Sequence, residues 1–162
     1  MTATNLRIQR AAVEDADRIT ALMHASSAYH GEYAPMLDGY RVTGDYLALH
    51  PTYLAVEEDN TLLGFYSLLT DPATLAKHGF TLPELNLLFV DDDLQGKGIG
   101  RLLIEHMLDL AKREDLRVVR VVSNPPAEGF YLSVGAERNG TVPPTPPHVT
   151  WERPELLFRL RP

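Results

Sequence analysis

With 162 residues, 44% of them hydrophobic and 23% charged, the chain is predicted to form one globular domain over residues 1–162 rather than a disordered or fibrous protein. It contains no cysteine, which excludes disulfides, a thiolate nucleophile and any cysteine-based metal site. The formal net charge of −7 argues against a nucleic-acid partner, because binding to the phosphate backbone needs clustered lysine and arginine.

The first fifty residues predict a strand, a helix and an irregular connection. Residues 6–10 alternate in hydrophobicity as a short strand does, and residues 13–28 place their apolar side chains on one face of an amphipathic helix. Residues 29–50 mix tyrosine and histidine with glycine, proline and aspartate. We therefore expect an irregular, aromatic-rich connection there, with a short helix near residues 44–49.

Two apolar segments follow, at residues 53–57 and 62–69, and both are rich in the β-branched, aromatic and aliphatic side chains that are typical of strands. The sequence Glu58-Asp59-Asn60-Thr61 separates them and indicates a hairpin turn. We therefore predict two adjacent antiparallel strands.

The second half of the chain alternates strands with helices. Residues 84–90 form a near-continuous apolar run of strand length, and residues 99–112 then show helical spacing. Residues 117–122 predict another buried strand, after which Asn124 is expected to cap a short helix. With a last strand at residues 155–160, this order predicts an α/β fold with one mixed central β-sheet flanked by helices.

A glycine-rich loop, Gln95-Gly96-Lys97-Gly98-Ile99-Gly100, lies between the strand at 84–90 and the helix that follows. Glycine lets ligand atoms approach the main chain, and backbone N–H groups at the start of a helix form a concave, positive site suited to phosphate. Lys97 and Arg101 add cations beside the loop. Asp91-Asp92-Asp93 would repel phosphate, so we interpret this run as a turn that points into solvent.

Two nucleotide-binding motifs do not fit this loop. The P-loop needs a lysine and a hydroxyl after its last glycine, whereas Gly100 is followed by Arg101-Leu102, which leaves no hydroxyl to hold magnesium. The dinucleotide fingerprint needs two residues between its second and third glycines, but only Ile99 separates Gly98 from Gly100. From the residues alone, a simple turn before a helix stays open as an alternative.

Two segments resemble the GNAT superfamily of acetyl-CoA-dependent N-acetyltransferases. The run from Val90 to Gly100 matches the acetyl-CoA signature Q/R-x-x-G-x-G/A of that superfamily, together with its preceding strand. The run from Asn124 to Ala136 is similar to a second signature, in which an asparagine follows a strand and the next helix carries Phe-Tyr before Gly-Ala. The resemblance covers residues 52–137 in element order and implies the single-domain GNAT fold.

The resemblance implies where acetyl-CoA, the co-substrate, binds. Its pantetheine arm is expected to pair with backbone groups of Leu88, Phe89 and Val90, where the sheet splays open. Its pyrophosphate is expected to lie on the loop residues and the residue after them: Gln95, Gly96, Lys97, Gly98, Ile99, Gly100 and Arg101. Asn124 matches the position that contacts pantetheine or orders the loop after its strand.

The resemblance also implies two residues that transfer protons. Tyr131 matches the tyrosine near the cofactor sulfur, where its hydroxyl can protonate the departing thiolate. Glu84 lies eleven residues before Gln95, a spacing similar to that of the catalytic glutamate in the histone-type branch, and is the candidate general base, directly or through water. Their alternative roles are a surface carboxylate at a strand edge for Glu84 and a packed core tyrosine for Tyr131.

The expected acceptor is the amine of a small molecule or a peptide, which attacks the thioester directly in a ternary complex because no cysteine nucleophile exists. The resemblance implies that residues 29–50 and 141–154 line the acceptor site. Aromatic side chains in these segments are candidates for a pocket: Tyr29, Tyr33, Tyr40, Tyr46, His148 and Trp151. Acidic side chains there are candidates to attract a cation: Glu32, Asp38 and Asp45. Alternatively, the aromatic residues only pack the loops against the domain.

The alternative function is a non-catalytic acyl-CoA-binding sensor that keeps the loop without the chemistry; a second alternative is an interaction protein whose glycine loop is only a turn. No metal site is predicted, since the six histidines lack ligand spacing. The chain opens without a signal-peptide core and has no run near the ~20 apolar residues of a membrane span, so we expect a cytoplasmic protein without a membrane partner. The sequence leaves a homodimer open.

Overall fold

The computed structural model describes residues 6–160, and one seven-stranded sheet runs through them. The strands are β1 (Arg7–Arg10), β2 (Thr52–Val56), β3 (Leu62–Leu69), β4 (Glu84–Val90), β5 (Val118–Val122), β6 (Glu137–Val142) and β7 (Arg153–Arg159). The helices are α1 (Ala16–Ala25), α2 (Gly44–Leu49), α3 (Pro72–His78), α4 (Ile99–Arg113) and α5 (Glu128–Ser133). Within residues 6–160, no helix is long and apolar enough to cross a membrane.

The strands lie in the order β1-β2-β3-β4-β5-β7-β6. Each of β1, β2 and β3 pairs antiparallel with the next strand in sequence, β5 and β6 both pair antiparallel with β7, and β4 and β5 are parallel. The predicted hairpin between β2 and β3 is confirmed, with Asn60 at a φ of 71° and the Thr61 N–H donating to Asp59 Oδ1 at 3.0 Å. The sheet is therefore mixed, and the predicted α/β fold is confirmed.

The strands β4 and β5 separate soon after they meet. Within the described residues, one pair of residues is matched between these two strands, Glu84 opposite Arg120. Beyond it, β4 stays paired with β3, and β5 stays paired with β7. The sheet consequently opens toward the carboxyl ends of β4 and β5, and the start of α4 lies just after that opening.

Helices cover both faces of the sheet and position the chain segments that approach this opening. The helix α4 buries an apolar stripe that includes Leu103 and Met107 against one face. On the other face, Ile19 of α1 packs in a second cluster with Phe65 and Phe89, whose rings stack at 5.7 Å. Each large apolar side chain buried in this way stabilises the fold by about 1.5–3 kcal/mol. The segment after α1 and the start of α4 thus approach the gap from opposite faces.

The sequence prediction missed two elements, α3 and β6. The helix α3 is short and buries no residue, so it shows no apolar periodicity. Its ends are set locally, because the Asp71 side chain accepts the Thr74 N–H at 3.0 Å and Gly79 adopts a left-handed φ of 73°. The strand β6 is an edge strand whose residues are mostly exposed, so it lacks the apolar run by which buried strands are recognised.

The first helix is shorter than predicted. The helix α1 ends at Ala25 and not at Ala28, because Ser26 adopts an extended conformation with a ψ of 122°. Separate 3-10 turns lie on either side of it, at Val13–Asp15 and Ser27–Tyr29. The apolar positions from Val13 to Met23 run through the first 3-10 turn and α1 without a break, which is why the sequence predicted one helix across that boundary.

Candidate active site

A cleft of about 1020 Å³ passes through the opening between β4 and β5. Four stretches of chain contribute to its walls: the segment 26–37 after α1, residues 85–90 of β4, the loop and helix start at 94–101, and residues 121–133 around α5. The cleft therefore brings the predicted cofactor loop and the irregular aromatic segment into one continuous space. Within positions 6–160, no three or more His, Asp or Glu side chains are arranged to hold a metal ion.

The glycine loop forms one end of the cleft. Gly96 and Gly98 have left-handed φ values of 80° and 84°, and a Cβ added at either would meet no protein atom within 4 Å. The first hydrogen bond inside α4 runs from Leu102 N–H to the Gly98 carbonyl oxygen at 3.0 Å. The N–H groups of Ile99, Gly100 and Arg101 have no acceptor in the described chain, as expected at a helix start. An open cradle of unpaired N–H groups at the start of a fifteen-residue helix suits a pyrophosphate.

Most of the residues predicted to bind the cofactor line this cleft. They are Leu88, Phe89, Val90, Gln95, Gly96, Gly98, Ile99, Gly100, Arg101 and Asn124. Lys97 does not line the cleft, so its side chain is not brought to the site. The Gln95 amide donates to the Val90 carbonyl oxygen at 3.1 Å, which ties the loop to the end of β4.

The aspartate run beside the loop does more than point into solvent. Asp91 accepts the Asp93 N–H through its side chain at 2.9 Å and so shapes the turn. The carboxylate of Asp92 accepts the Ser27 N–H at 2.9 Å and so joins this turn to the segment after α1. The run is a turn in which Asp92 and Asp93 are exposed, as the sequence predicted, and the carboxylates of Asp91 and Asp92 also accept main-chain N–H groups.

Tyr131 lies on α5 and lines the cleft with only 8% of its surface exposed. Its hydroxyl makes no hydrogen bond with residues 6–160, and its ring packs edge-on against Phe130 and Phe158. Burial raises the pKa of the hydroxyl, and the neighbouring Tyr29 adds to the rise. The hydroxyl therefore keeps its proton at neutral pH and can act as a donor.

Glu84 is 4% exposed and does not line the cleft. Arg120 Nη1 donates to both carboxylate oxygens of Glu84, at 3.0 and 2.8 Å, and Arg120 Nε donates to Glu155 at 2.6 Å. Burial raises the pKa of Glu84 to about 6, although the Arg120 guanidinium opposes the rise. The structure therefore does not bring the predicted base into the cleft, but keeps it at the point where β4 and β5 meet.

Asn124 lines the cleft, but its side chain is already occupied by two loops. Its Oδ1 accepts the Trp151 Nε1–H at 3.1 Å, and its Nδ2 lies 3.4 Å from the sulfur of Met36. Asn124 occupies the predicted N-cap position of the turn Pro125–Ala127 that precedes α5, where its carbonyl oxygen accepts the Ala127 N–H at 3.0 Å, but its side chain makes no capping bond. Asn124 instead joins the segment after α1, through Met36, to the loop before β7, through Trp151.

The predicted aromatic pocket is formed in part. Tyr29 and Tyr33 line the cleft, with Tyr29 packed at 5.3 Å against Phe89 and Tyr33 edge-on to Trp151 at 4.9 Å. Of the predicted acidic residues, only Glu32 reaches it. The remaining predicted aromatic and acidic residues lie outside the cleft lining: Tyr40, Tyr46, His148, Trp151, Asp38 and Asp45.

Sequence reasoning missed Asn86, which lines the cleft from the middle of β4. Its Nδ2 donates to the Tyr46 hydroxyl at 2.8 Å. The signal in the sequence was a single polar residue within the apolar run 84–90. A polar side chain in an otherwise buried strand needs a partner or a ligand, and this criterion would have selected Asn86.

Comparison with known proteins gives concordant results. The model of the Acetyltransferase (GNAT) family matches residues 19–136. The chain is 27% identical over 144 residues to the peptidyl-lysine N-acetyltransferase YjaB of Salmonella typhimurium, and the match covers 83% of this chain and 86% of that protein.

Two solved structures show the same fold at low identity. The PaiA N-acetyltransferase from Thermoplasma acidophilum in complex with coenzyme A gives a TM-score of 0.72 at 17% identity, with 95% of this chain and 98% of that chain covered. The Salmonella typhimurium protein yncA with its cofactor acetyl-CoA gives 0.72 at 20% identity, with 98% and 96% covered. These likenesses support the fold described above.

Proposed function

Because this chain belongs to the GNAT acetyltransferase family, with acetyl-CoA as its co-substrate, we propose that it transfers the acetyl group to an amine of a small molecule or a peptide. The amine attacks directly, in a complex that holds both substrates. The observation that carries this proposal is the single cleft that joins the glycine cradle, Tyr131 and the aromatic segment after α1. A cleft of this form lets two substrates enter from opposite faces of the sheet and meet between β4 and β5.

Bound acetyl-CoA supplies an activated thioester, and the protein has to manage two protons. An alkylamine with a pKa near ~10 is mostly ammonium at neutral pH and must lose a proton before it attacks. When the thioester bond breaks, the departing coenzyme A thiolate must gain a proton. Tyr131 is the proposed donor, because its buried hydroxyl lines the cleft, is un-ionised at neutral pH and has no competing partner among residues 6–160.

Glu84 is the proposed acceptor of the amine proton, acting through water. With a pKa of about 6, its carboxylate is ionised at neutral pH and yet basic enough to take a proton. A water relay is required because Glu84 does not line the cleft. Arg120 holds the carboxylate in place through its two hydrogen bonds.

The acceptor side of the cleft favours a cationic amine. Among the ionisable residues of segment 26–37 that line it, Glu32 carries the negative charge, and Tyr29 and Tyr33 present aromatic rings. Aromatic faces and a carboxylate attract an ammonium group. The relative named a peptidyl-lysine N-acetyltransferase supports a lysine side chain as one acceptor to test.

The test is acetyl-CoA turnover over a panel of amino acids, polyamines, aminoglycosides, lysine peptides and peptide N-termini. Release of the free thiol can be followed directly with a thiol-reactive dye, because the chain has no cysteine to react in the background. Mass spectrometry of the amine should show one added acetyl group. Binding of acetyl-CoA without turnover of any amine would instead support a non-catalytic sensor.

A further inference from the structure

The strand β4 carries a β-bulge inside the cleft. Leu87 pairs with Ser67 and Leu85 pairs with Leu68, so Asn86 is the extra residue between two register positions. A bulge leaves its extra residue out of the ladder and redirects the side chain. Asn86 is accordingly exposed within a strand whose neighbouring residues are buried or half-buried, and it lines the cleft.

The carboxamide of Asn86 is held in one orientation by a chain of hydrogen bonds. Its Nδ2 donates to the Tyr46 hydroxyl at 2.8 Å, and that hydroxyl lies 2.7 Å from the Oγ of Ser67, which is fully buried in β3. The Tyr46 ring packs edge-on against His50 at 4.7 Å. These contacts fix Nδ2 and leave Oδ1 without a partner in the described residues.

We propose that Asn86 Oδ1 accepts a hydrogen bond from the nitrogen of the attacking amine, and that Tyr46 is the positioning residue for this contact. The inference rests on the proposed function and names a residue that recognises its acceptor. Tyr46 belongs to α2, within the segment that follows α1, so the network approaches from the acceptor side of the sheet. The attacking amine is the reactant that brings N–H donors from that side.

A neutral carboxamide suits this task better than a carboxylate. It orients an N–H group but adds no net negative charge, so it favours the unreactive ammonium form far less than a carboxylate does. A carboxylate at the same position would stabilise the ammonium and raise the pH at which the amine becomes reactive. The chemistry therefore predicts different pH behaviour for the aspartate and alanine substitutions at this position.

The first experiment uses the panel amine with the highest kcat/KM and measures KM and kcat for it together with the Kd of acetyl-CoA. Asn86→Ala should raise the amine KM on the order of tenfold, because one hydrogen bond is lost, and leave the acetyl-CoA Kd unchanged. Tyr46→Phe should raise the amine KM by about threefold, because the carboxamide loses its anchor. The double variant should have the amine KM of Asn86→Ala alone, since Tyr46 acts only through Asn86.

Tyr40→Phe is the matched control. Tyr40 lies in the same segment as Tyr46 but outside the cleft lining, and its hydroxyl makes no hydrogen bond with residues 6–160, so the amine KM of Tyr40→Phe should equal the parent value. A KM for Asn86→Ala equal to the parent value, or a loss of acetyl-CoA affinity in its place, would overturn the assignment. If the parent turns over an amine, only this assignment fails; if the parent turns over none, the proposed function fails and the assignment with it.

The second experiment replaces Asn86 with aspartate and measures the pH dependence of kcat/KM. Asn86→Asp should move the alkaline rise of kcat/KM to higher pH, because the added charge favours the ammonium. Asn86→Ala should leave the position of that rise unchanged while lowering its height. The same profile in both variants contradicts a contact between this side chain and the amine.

Discussion

The two ends of the cleft are built in different ways. The cofactor end consists of main chain: the glycine loop and the start of α4 present N–H groups from residues that follow one another in sequence. The proposed acceptor end consists of side chains that meet from distant parts of the chain, as Asn124 does with Met36, 88 positions away. Phosphate recognition by main chain needs only small residues and a helix, whereas amine recognition needs particular side chains in particular places.

This difference indicates at which residues of the cleft an amino-acid substitution should leave binding unchanged. Lys97 does not line the cleft, and its side chain is not needed if, as we propose, the loop binds the pyrophosphate through its backbone. At the proposed acceptor end, hydrogen bonds join residues of different segments. The Ser27 N–H donates to Asp92, and the Trp151 side chain donates to Asn124. Substitutions at the two ends should therefore separate acetyl-CoA affinity from amine KM.

The largest effect is expected at the cofactor end, from Gly98→Glu. A carboxylate there would occupy the open cradle and repel the pyrophosphate, so the acetyl-CoA affinity should fall by about 100-fold, equivalent to the loss of charge-assisted hydrogen bonds worth about 3 kcal/mol. Calorimetry with acetyl-CoA measures this.

Gly79→Glu is the matched control for Gly98→Glu. Gly79 also has a left-handed φ, 73°, and a Cβ added there would meet no atom within 4 Å, but it ends α3 away from the cleft. Both variants carry the same backbone strain, about 1 kcal/mol. Equal acetyl-CoA affinities in the two variants would show that strain, and not the lost cradle, is responsible.

The next effect lies between the two ends, at Tyr131. Tyr131→Phe should lower kcat by on the order of 100-fold, as expected for loss of a general acid, and leave the acetyl-CoA Kd near the parent value. Tyr53→Phe, at a half-buried tyrosine outside the cleft, should have parent kinetics. Turnover by Tyr131→Phe at the parent rate would remove the hydroxyl from the mechanism.

Most of the sheet and the cofactor end could be predicted from sequence because they depend on local patterns. Apolar runs mark β3 and β4, and three closely spaced glycines before a helix mark the cradle. Tyr131 was found only through its similarity to a family signature, since a tyrosine on a short helix carries no signal of its own.

The acceptor end could not be predicted to the same depth. The hydrogen bond from Ser27 to Asp92 joins residues 65 positions apart, and no local pattern encodes it. The sequence also cannot show that Arg120 donates hydrogen bonds to both carboxylate oxygens of Glu84. That carboxylate is held outside the cleft lining. The sequence marks Asn86 as a polar residue in an apolar run, but it does not show the bulge that exposes the side chain in the cleft.

Glu84 provides a test of moderate effect. Because its pKa of about 6 lies above its ordinary value, a base with this pKa is protonated and inactive below pH 6 and becomes active as pH rises through 6. Glu84→Gln should lower kcat/KM on the order of tenfold above that pH and remove the rise near pH 6. The pH profile of kcat/KM is the measurement.

Glu155→Gln is the control for Glu84→Gln, because Glu155 is the second carboxylate bound to Arg120 and also lies outside the cleft lining. It should keep the rise but move it to slightly lower pH, because the charge of Glu155 is one of the causes that raise the pKa of Glu84. Retention of that rise in Glu84→Gln would assign the titration to another group and leave Glu84 as a structural partner of Arg120.

The smallest effect is expected where the two ends touch, at the bond between Asp92 and Ser27. Asp92→Ala should raise the amine KM by about threefold, because one hydrogen bond that holds the turn carrying Tyr29 is lost.

Two control variants separate the hydrogen bond from the charge. Asp93→Ala removes an equal charge from an exposed carboxylate that makes no side-chain hydrogen bond to residues 6–160, and Asp92→Asn keeps an acceptor oxygen for Ser27. Both carboxylates lie beside the phosphate loop, so their removal should tighten acetyl-CoA to the same small extent, and only Asp92→Ala should also change the amine KM. A change in amine KM shared equally by Asp93→Ala would mean that charge alone acts on the acceptor end, and that the two ends of the cleft are not joined through this bond.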